Sequence, residues 1–520
     1  MPRSAFGPIL QFRGCDAGVW RVSALCRADA SGSPPVVSLG LPGAAPTPVA
    51  GRLLATLPVL ASRPTDALWR HDFQVPLTNA AQAVGYTVDG TGYSFQVPAR
   101  DAIPRMAYGS CNGFSDPKLM KQVSDKNDRW AHLLARHQAG AYELLLLGGD
   151  QVYSDSLWEQ VPTLKDWSDR SGDDRWQANV TRRMSQEIDA FFTRLYLERW
   201  AQASMRDALA AIPTVMMWDD HDIFDGWGSY PAERHYSAVY QGIYEIARSH
   251  YRLFQQQLAP DERHPCAVGN GDGLHLGFAG LGGLDLLAPD LRSERMPREP
   301  SRGVMSDQIV GSASWEALYT WLDARPKAAD GEARHLLLMS SIPVTYLDLG
   351  GLERALNALP GQQELEDDLR DHWRSAPHQQ ERQRLVQRLL RFAAAKNCRV
   401  TIVSGDVHVG ALGVIESTRE GPTGHAGVIN QLVSTGIVHP APPAMARWVL
   451  ERFAEGRDPI DRGINGSMLP IAGHGSYLIG ARNWLALEPD TQGRLWANWH
   501  VEGQHSPLTK VIHPIVASPA

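Results

Sequence analysis

Hydrophobic and polar positions follow two rhythms along this chain. Over the first hundred residues, short apolar segments at 19–25, 69–75 and 93–97 are separated by Gly, Pro, Ser and Asp turns. Strands at that spacing predict a small sandwich-like β module. Pro98 and Pro104 bracket its expected end, which gives units at 1–100 and 101–520. From residue 105, short continuous apolar runs alternate with long helical stretches, the layering of an α/β fold. The runs at 106–108, 143–147, 214–218, 336–339, 400–403 and 431–433 are bounded by Gly, Ser or Asp and predict buried strands. Residues 176–211 and Gln379–Lys396 predict helices. In the second, Leu385, Leu389 and Phe392 recur at helical spacing with Val386, Leu390 and Ala393 beside them. After a turn at 490–493, Leu495, Ala497, Trp499 and Val501 alternate with polar partners and return the chain to strand.

The informative polar positions are the ones that end these strands. The run at 106–108 passes into Gly109-Ser110-Cys111-Asn112, and that at 143–147 into Gly148-Gly149-Asp150-Gln151-Val152-Tyr153. The run at 214–218 passes into Asp219-Asp220-His221-Asp222, and that at 400–403 into Ser404-Gly405-Asp406-Val407-His408. Open α/β sheets bind ligands outside the carboxyl ends of their strands, so these four ends converge on one rim. Carboxylates gathered there repel one another and raise each other's pKa, and a pair of cations turns that repulsion into affinity. Gly109, Gly149 and Gly405 allow the tight turns such a rim needs. Each motif alone reads as a turn, a helix cap or a small buried cysteine. All four at strand ends predict a metal site.

Composition narrows the class. With 520 residues, 43% of them hydrophobic, the chain can bury a large core. A formal charge of −7 and the lack of any Lys/Arg run argue against a polymeric polyanion as ligand. Five widely spaced cysteines fit a reducing compartment better than a disulfide framework. No secretory h-region and no long apolar stretch are seen, so a cytoplasmic protein with no membrane segment is expected.

In order and spacing, Gly109-Ser110-Cys111, Gly149-Asp150-Gln151-Val152-Tyr153, Trp218-Asp219-Asp220-His221-Asp222 and Ser404-Gly405-Asp406-Val407-His408 resemble the motifs of the PhoD-like alkaline phosphatase/phosphodiesterase family, a branch of the calcineurin-like metallophosphoesterases. Asp290-Leu291-Arg292-Ser293-Glu294-Arg295 and Ser434-Thr435-Gly436 match less closely, and residues 1–100 match only in position. The resemblance implies a four-layer αββα sandwich preceded by the small β-sandwich-like module. It implies hydrolysis of small phosphate esters, diesters with some monoesters, by in-line attack of a metal-activated hydroxide at a dinuclear site. Asp150 would bridge both metals. Cys111, Tyr153 and His408 would hold one metal, and Asp220 and Asp406 the other. Asp225 stands where many members carry an Asn near the second metal, and His221 would stand beside the leaving group as its acid.

A thiolate and a phenolate favour Fe³⁺ at the first position, while carboxylates at the second suit Ca²⁺, Mn²⁺ or Mg²⁺, or Zn²⁺. Residues 336–339 lead into Ser340-Ser341-Ile342-Pro343 and offer no histidine, as in this branch, which leaves the second metal with fewer ligands. Arg292 is the candidate phosphate clamp, set against a plain salt bridge. Trp373 and His378, in the stretch 371–378, either line the pocket or pack. The stretch 226–251, rich in Trp, Tyr and His, is a candidate lid. Two other readings compete. A nucleotide phosphodiesterase or nuclease needs a basic, aromatic-lined groove; the 16 Trp are there, a basic cluster is not. A catalytically silent metal-containing binding protein is disfavoured by the presence of His221.

Overall fold

A computed structural model describes residues 6–58, 65–347, 373, 375–419 and 426–515. The continuous apolar runs form the centres of two large mixed sheets. Leu144–Gly148, buried at every position, lies parallel between Met106–Gly109 and Thr214–Met217. A parallel central strand is covered on both faces, so its sequence shows no alternation. Asn483–Pro489 pairs antiparallel with Met106–Gly109 and continues through Leu495–Val501 to Leu508–Ile512. On the other flank Thr214–Met217 takes Ile9–Asp16 as a parallel neighbour, and Val19–Asp29, Asp66–Pro76 and Gly51–Thr56 complete ten strands.

Four of the eight described strands within the first hundred residues are therefore built into the main sheet. Only Val37–Gly40, Thr47–Val49, Gln82–Val88 and Thr91–Val97 form a sheet of their own. Alternation announces a strand but not the edge it joins. Ile9–Asp16, the strand that makes the junction, is buried at its first six positions and has no alternation to read.

Among the described residues the second large sheet has nine strands. Its parallel centre is Leu284–Ala288, His335–Ser340, Arg399–Ser404 and Val428–Val433, with antiparallel strands on both sides. Leu144, Leu146, Val215 and Met217 share one core with Leu286, Leu337, Met339, Val403 and Leu432 of this second sheet. The opposite side chains, Leu145 and Leu147, pack with Ile188, Phe192 and Ile243 from helices. On the far side of the second sheet, Leu336, Leu338 and Ile402 pack with Leu318, Leu385 and Leu389.

The predicted helix at 176–211 divides into a 3₁₀ turn, Asp173–Gln177, and the helices Arg182–Arg199 and Ala203–Ala211. Thr181 caps the longer one, accepting from Met184 N at 3.1 Å. The chain turns at Trp200, whose ring enters the same core as Leu197, Met205 and Leu209. Gln379–Lys396 is a helix over its predicted length and stops at Asn397, in the left-handed region with φ 49°. The stretch 226–251 contains Ala232–His235 and Ala238–His250; Val239, Ile243 and Ala247 of the latter pack into the core of the first helical layer. Among the described residues no helix is long and apolar enough to cross a membrane. All five cysteines are free thiols.

Candidate metal centre

Parallel registry brings the strand ends level. Gly109 pairs with Leu147 and Gly148 with Met217 in one sheet; Ser404 pairs with Ser340 and with Val433 in the other. The loops that leave them are tied together. Cys111 N donates to Gly149 O at 3.3 Å, Asn112 N to Asp150 O at 2.8 Å, Ile437 N to Ser110 O at 3.1 Å and Gly405 N to Ser341 O at 3.1 Å. Gly149 has φ 105°, and a Cβ there would lie 2.9 Å from Asp219 Cβ. A Cβ on Gly405 would meet Ser110 Oγ at 2.3 Å. These two glycines let the loops close on each other.

Backbone strain gathers in the same place. Eight described non-glycine residues have positive φ, and four of them are Cys111 (53°), Asp150 (53°), Asp406 (75°) and His408 (54°). Each such residue costs about 1–3 kcal/mol, and this strain collects at sites where a side chain must be aimed.

Asp150, Asp219, Asp220 and Asp406 bring one oxygen each within 4.8 Å of one another, all four residues being buried. Asp150 Oδ1 and Asp219 Oδ2 have no hydrogen-bond donor among the described residues. Burial raises Asp150 well above the usual carboxylate range, with Asp219, Asp220 and Asp222 adding to it and His221 opposing. Asp219 is raised likewise by burial, against the pull of Arg292. Buried anions that lack donors need a cation, so this donor set fits metal.

Cys111, fully buried, has Sγ 3.4 Å from Asp150 Oδ2 and 2.7 Å from Thr435 Oγ1. Burial and the Asp150 charge push its thiol up, so its thiolate calls for a cation beside it. Tyr153 meets His408 Nε2 through its hydroxyl at 3.3 Å. His408 stacks on His439 with ring centroids 3.5 Å apart, and burial holds it neutral, with His439 and His221 adding to the effect. Neutral imidazole is the ligand form. Asp220, His221 and Asp225 form a second group of possible ligands that shares Asp220 with the first.

His221 donates from Nδ1 to Asp155 Oδ2 at 2.8 Å and stacks on Tyr153 at 4.4 Å. Burial opposes its charge, yet Asp155, Asp220 and Asp150 raise its pKa well above the usual value. Arg292, fully buried, donates from Nε to Asp219, lies 3.4 Å from Asp220 through Nη2 and donates to Trp227 O at 3.1 Å through Nη1. Its guanidinium thus backs the carboxylates. Trp373 packs against Trp315, and His378 meets Arg295 at 3.3 Å; Asp371, His372 and Arg374 lie outside the described residues.

Two residues here, Asp155 and His439, carry no sequence signal, and two, Asp219 and Thr435, stand inside quoted motifs without a role assigned to them. Asp219 precedes the expected ligand Asp220 and joins the carboxylate group. Asp155 orients His221 and holds Asp225 N at 2.9 Å. Thr435 touches the Cys111 thiol, and His439 stacks on His408. Only the Asp219-Asp220-His221-Asp222 run and the Ser434-Thr435-Gly436 turn marked their neighbourhoods.

The chain matches the family described as PhoD related phosphatase over residues 77–360 and 347–455. An uncharacterized protein of Saccharomyces cerevisiae (strain ATCC 204508 / S288c), YGR266W, is 29% identical over 468 residues, covering 74% of this chain and 65% of that protein. The chain thus spans just under two thirds of the length of this relative. The solved structure of PhoD aligns with a TM-score of 0.53 at 13% identity, covering 97% of this chain and 88% of that one. At that identity the likeness is one of fold. Purple acid phosphatase PPD1 from yellow lupin (Lupinus luteus) seeds aligns with a TM-score of 0.48 at 11% identity, covering 97% of this chain and 74% of that one.

Proposed function

Because the chain belongs to the PhoD-related phosphatase family, we propose that it hydrolyses small phosphate esters, phosphodiesters foremost, at a dinuclear metal site on the rim of its two sheets. The observation that carries this reading is the buried group of Asp150, Asp219, Asp220 and Asp406, in which Asp150 Oδ1 and Asp219 Oδ2 lack donors among the described residues, set against Cys111 and Tyr153. In this reading Asp150 would serve as a ligand common to both ions. Cys111, Tyr153 and His408 hold one, a thiolate and phenolate set suited to Fe³⁺. Asp220 and Asp406, with Asp219 and Asp225 as further candidates, hold Ca²⁺ or another hard or borderline cation. When bound, the two ions supply a lowered water pKa and positive charge against the phosphoryl oxygens.

The chain's own groups do the rest. His221, fixed through Nδ1 by Asp155, keeps Nε2 for the oxygen of the departing group, to which it gives a proton. Arg292 holds Asp219 and Asp220 at fixed positions and offsets their mutual repulsion. Asp290 accepts from Arg292 N at 3.0 Å and from Trp218 Nε1 at 2.8 Å, which sets the loop that carries Arg292. In place of the clamp read from sequence, Arg292 is therefore proposed as a positioning residue for the carboxylates.

Elemental analysis of natively purified protein, paired with bis(p-nitrophenyl) phosphate hydrolysis, tests the proposal. Near one iron and one second metal per chain are expected. Asp150→Ala should lose both ions and all activity, and Cys111→Ala should lose mainly iron. Folded protein that carries no stoichiometric metal and gains no activity on adding iron, calcium or manganese would overturn it.

A further inference from the structure

The cleft in front of His221 has two unlike sides. One is formed by His221, Asp225, His408 and His439; the same hollow of about 100 Å³ is lined by Leu119 and by residues 440–443, with Ser115 and Gln122 as its other polar members. Three of the four residues at 440–443 are prolines, which have no N–H to donate and hold φ near one value. This wall is apolar and stiff. Both its ends are anchored: His439 N donates to Cys111 O at 3.1 Å and His439 Nδ1 to Pro440 O at 2.8 Å, while Arg447 N donates to Pro443 O at 3.0 Å.

Apolar surface continues outward from the wall. Pro443 caps the helix Ala444–Arg452, on which Met445 and Trp448, three residues apart and so on one face, are 67% and 59% exposed. Leu119 is followed by Met120, 41% exposed, on the short helix Pro117–Gln122. These are three of the seven large hydrophobic side chains exposed among the described residues, and they sit on the two helices whose ends border the cleft. Exposed apolar side chains on both helices that lead from a cleft fit a binding surface better than single scattered ones do.

We propose that the wall at Leu119 and residues 440–443 is the leaving-group subsite, and that it selects phosphate esters whose departing group is an alkyl or aryl chain. The proposal rests on the hydrolase reading above. Hydrolysis breaks the P–O bond to the departing group and forms a P–O bond to water; water loses one proton, and His221 gives one to the departing oxygen. His221 and the wall share one cleft, so the group that receives that proton lies against proline rings. Against the proline rings a sugar or nucleoside hydroxyl would lose water and meet only Ser115 and Gln122 as uncharged polar side chains, whereas each methylene laid on the wall gains up to about fourfold in affinity.

Non-hydrolysable n-alkylphosphonates from methyl to octyl, tested on the metal-loaded protein, separate the possibilities. Ki against bis(p-nitrophenyl) phosphate hydrolysis, and Kd by calorimetry, should fall about two- to fourfold per added methylene until the chain outgrows the wall. In Ala441→Asp and in Leu119→Asp, both at partly exposed positions, the gain per methylene should fall to near one while methylphosphonate still binds. Hydrolysis with a flat series in the wild-type protein overturns the subsite alone. A series whose slope survives both variants overturns its placement on this wall. Folded, metal-loaded protein that neither hydrolyses the diester nor binds any phosphonate overturns the hydrolase reading, and the subsite with it.

Discussion

At the scale of single residues, His221 is decided by its partner. Asp155 accepts a hydrogen bond from Nδ1 at 2.8 Å and Tyr153 stacks on the ring, so the imidazole has one orientation. An acid held this way matters only when the departing oxygen needs its proton. His221→Ala should therefore cost about 10²–10⁴-fold in kcat on alkyl phosphate esters. On nitrophenyl esters, whose phenolate leaves unaided, the loss should be under about tenfold. Asp155→Asn should show the same leaving-group dependence at smaller size, with metal content intact. A plot of log kcat against leaving-group pKa checks this, and a parallel drop for all esters would rule out the acid role.

Glu143, at the opposite end of the strand that leads to Asp150, makes a separate residue-scale test. Only 8% exposed, it accepts from Arg105 N at 2.6 Å, yet burial raises its pKa from the ordinary 4.5 to about 7, with Arg105 pulling the other way. The folded chain thus holds this proton more tightly than the unfolded chain. The group's stabilising contribution is full below pH 4.5 and is lost as pH rises through about 7. Glu143→Gln stays neutral throughout. It should match the wild-type protein at pH 5 and exceed it at pH 8 by at most ~3 kcal/mol, at about 1.4 kcal/mol per pH unit. Urea unfolding of both proteins at the two pH values measures this, and an equal difference at both would show that Glu143 does not titrate in this range.

At the scale of elements, the strand ends were legible and the ties between them were not. A continuous apolar run that stops at Gly and then Asp announces a buried parallel strand and its active end, and Leu144–Gly148 followed by Asp150 is such a case. Asp222 lies in one of the motifs, but nothing local says that it faces inward. It accepts from Asp219 N at 3.0 Å, Val152 N at 3.2 Å, Gln151 N at 3.3 Å and Gln255 Nε2 at 2.9 Å, and so ties the Asp150 loop to the Asp219 loop. Three of these four bonds join residues more than 30 positions apart, which no spacing rule encodes. The division of 176–211 at Trp200 was hidden for a similar reason: no Gly or Pro marks it, and it falls at a ring that is buried in the core. Asp222→Asn should cost about 2–4 kcal/mol by turning an acceptor against backbone donors, and should lower metal content without removing a ligand. Asp150→Ala should also lose metal, but its metal-free form should be no less stable than metal-free wild-type protein, since it removes a buried acid whose Oδ1 has no donor among the described residues and whose Oδ2 is met only by the Cys111 thiol. Unfolding of the chelated proteins separates the two effects.

At the scale of the whole molecule, the junction between the first hundred residues and the rest decides whether the catalytic unit exists without them. A sandwich-like module ending near Pro98 would be dispensable for folding. The structure joins them instead through Ile9–Asp16, which runs parallel beside Thr214–Met217, the strand that delivers Asp219, Asp220 and His221. Thr214 Oγ1 donates to Leu10 O at 2.7 Å, Gln257 Nε2 to Ile9 O at 2.8 Å and Tyr86 OH to Ala210 O at 2.7 Å. Phe12 stacks on Phe278 of the second sheet at 5.2 Å, inside the core that the two large sheets share. Removing residues 1–100 would turn Thr214–Met217 into an open edge and leave that core without Leu10, Phe12, Trp20 and Val22. A chain of residues 101–520 should therefore be recovered aggregated or without cooperative unfolding, and should bind no metal in a defined ratio. Adding back residues 1–100 as a separate polypeptide during refolding should restore metal content, because the junction is made of strand pairing and packing that need no peptide bond across residue 100. A truncated chain that unfolds cooperatively and holds both ions would mean that the strand pairing at Thr214 is ornamental to the site, and that the two-unit reading of the sequence describes the molecule better than its shared sheet does.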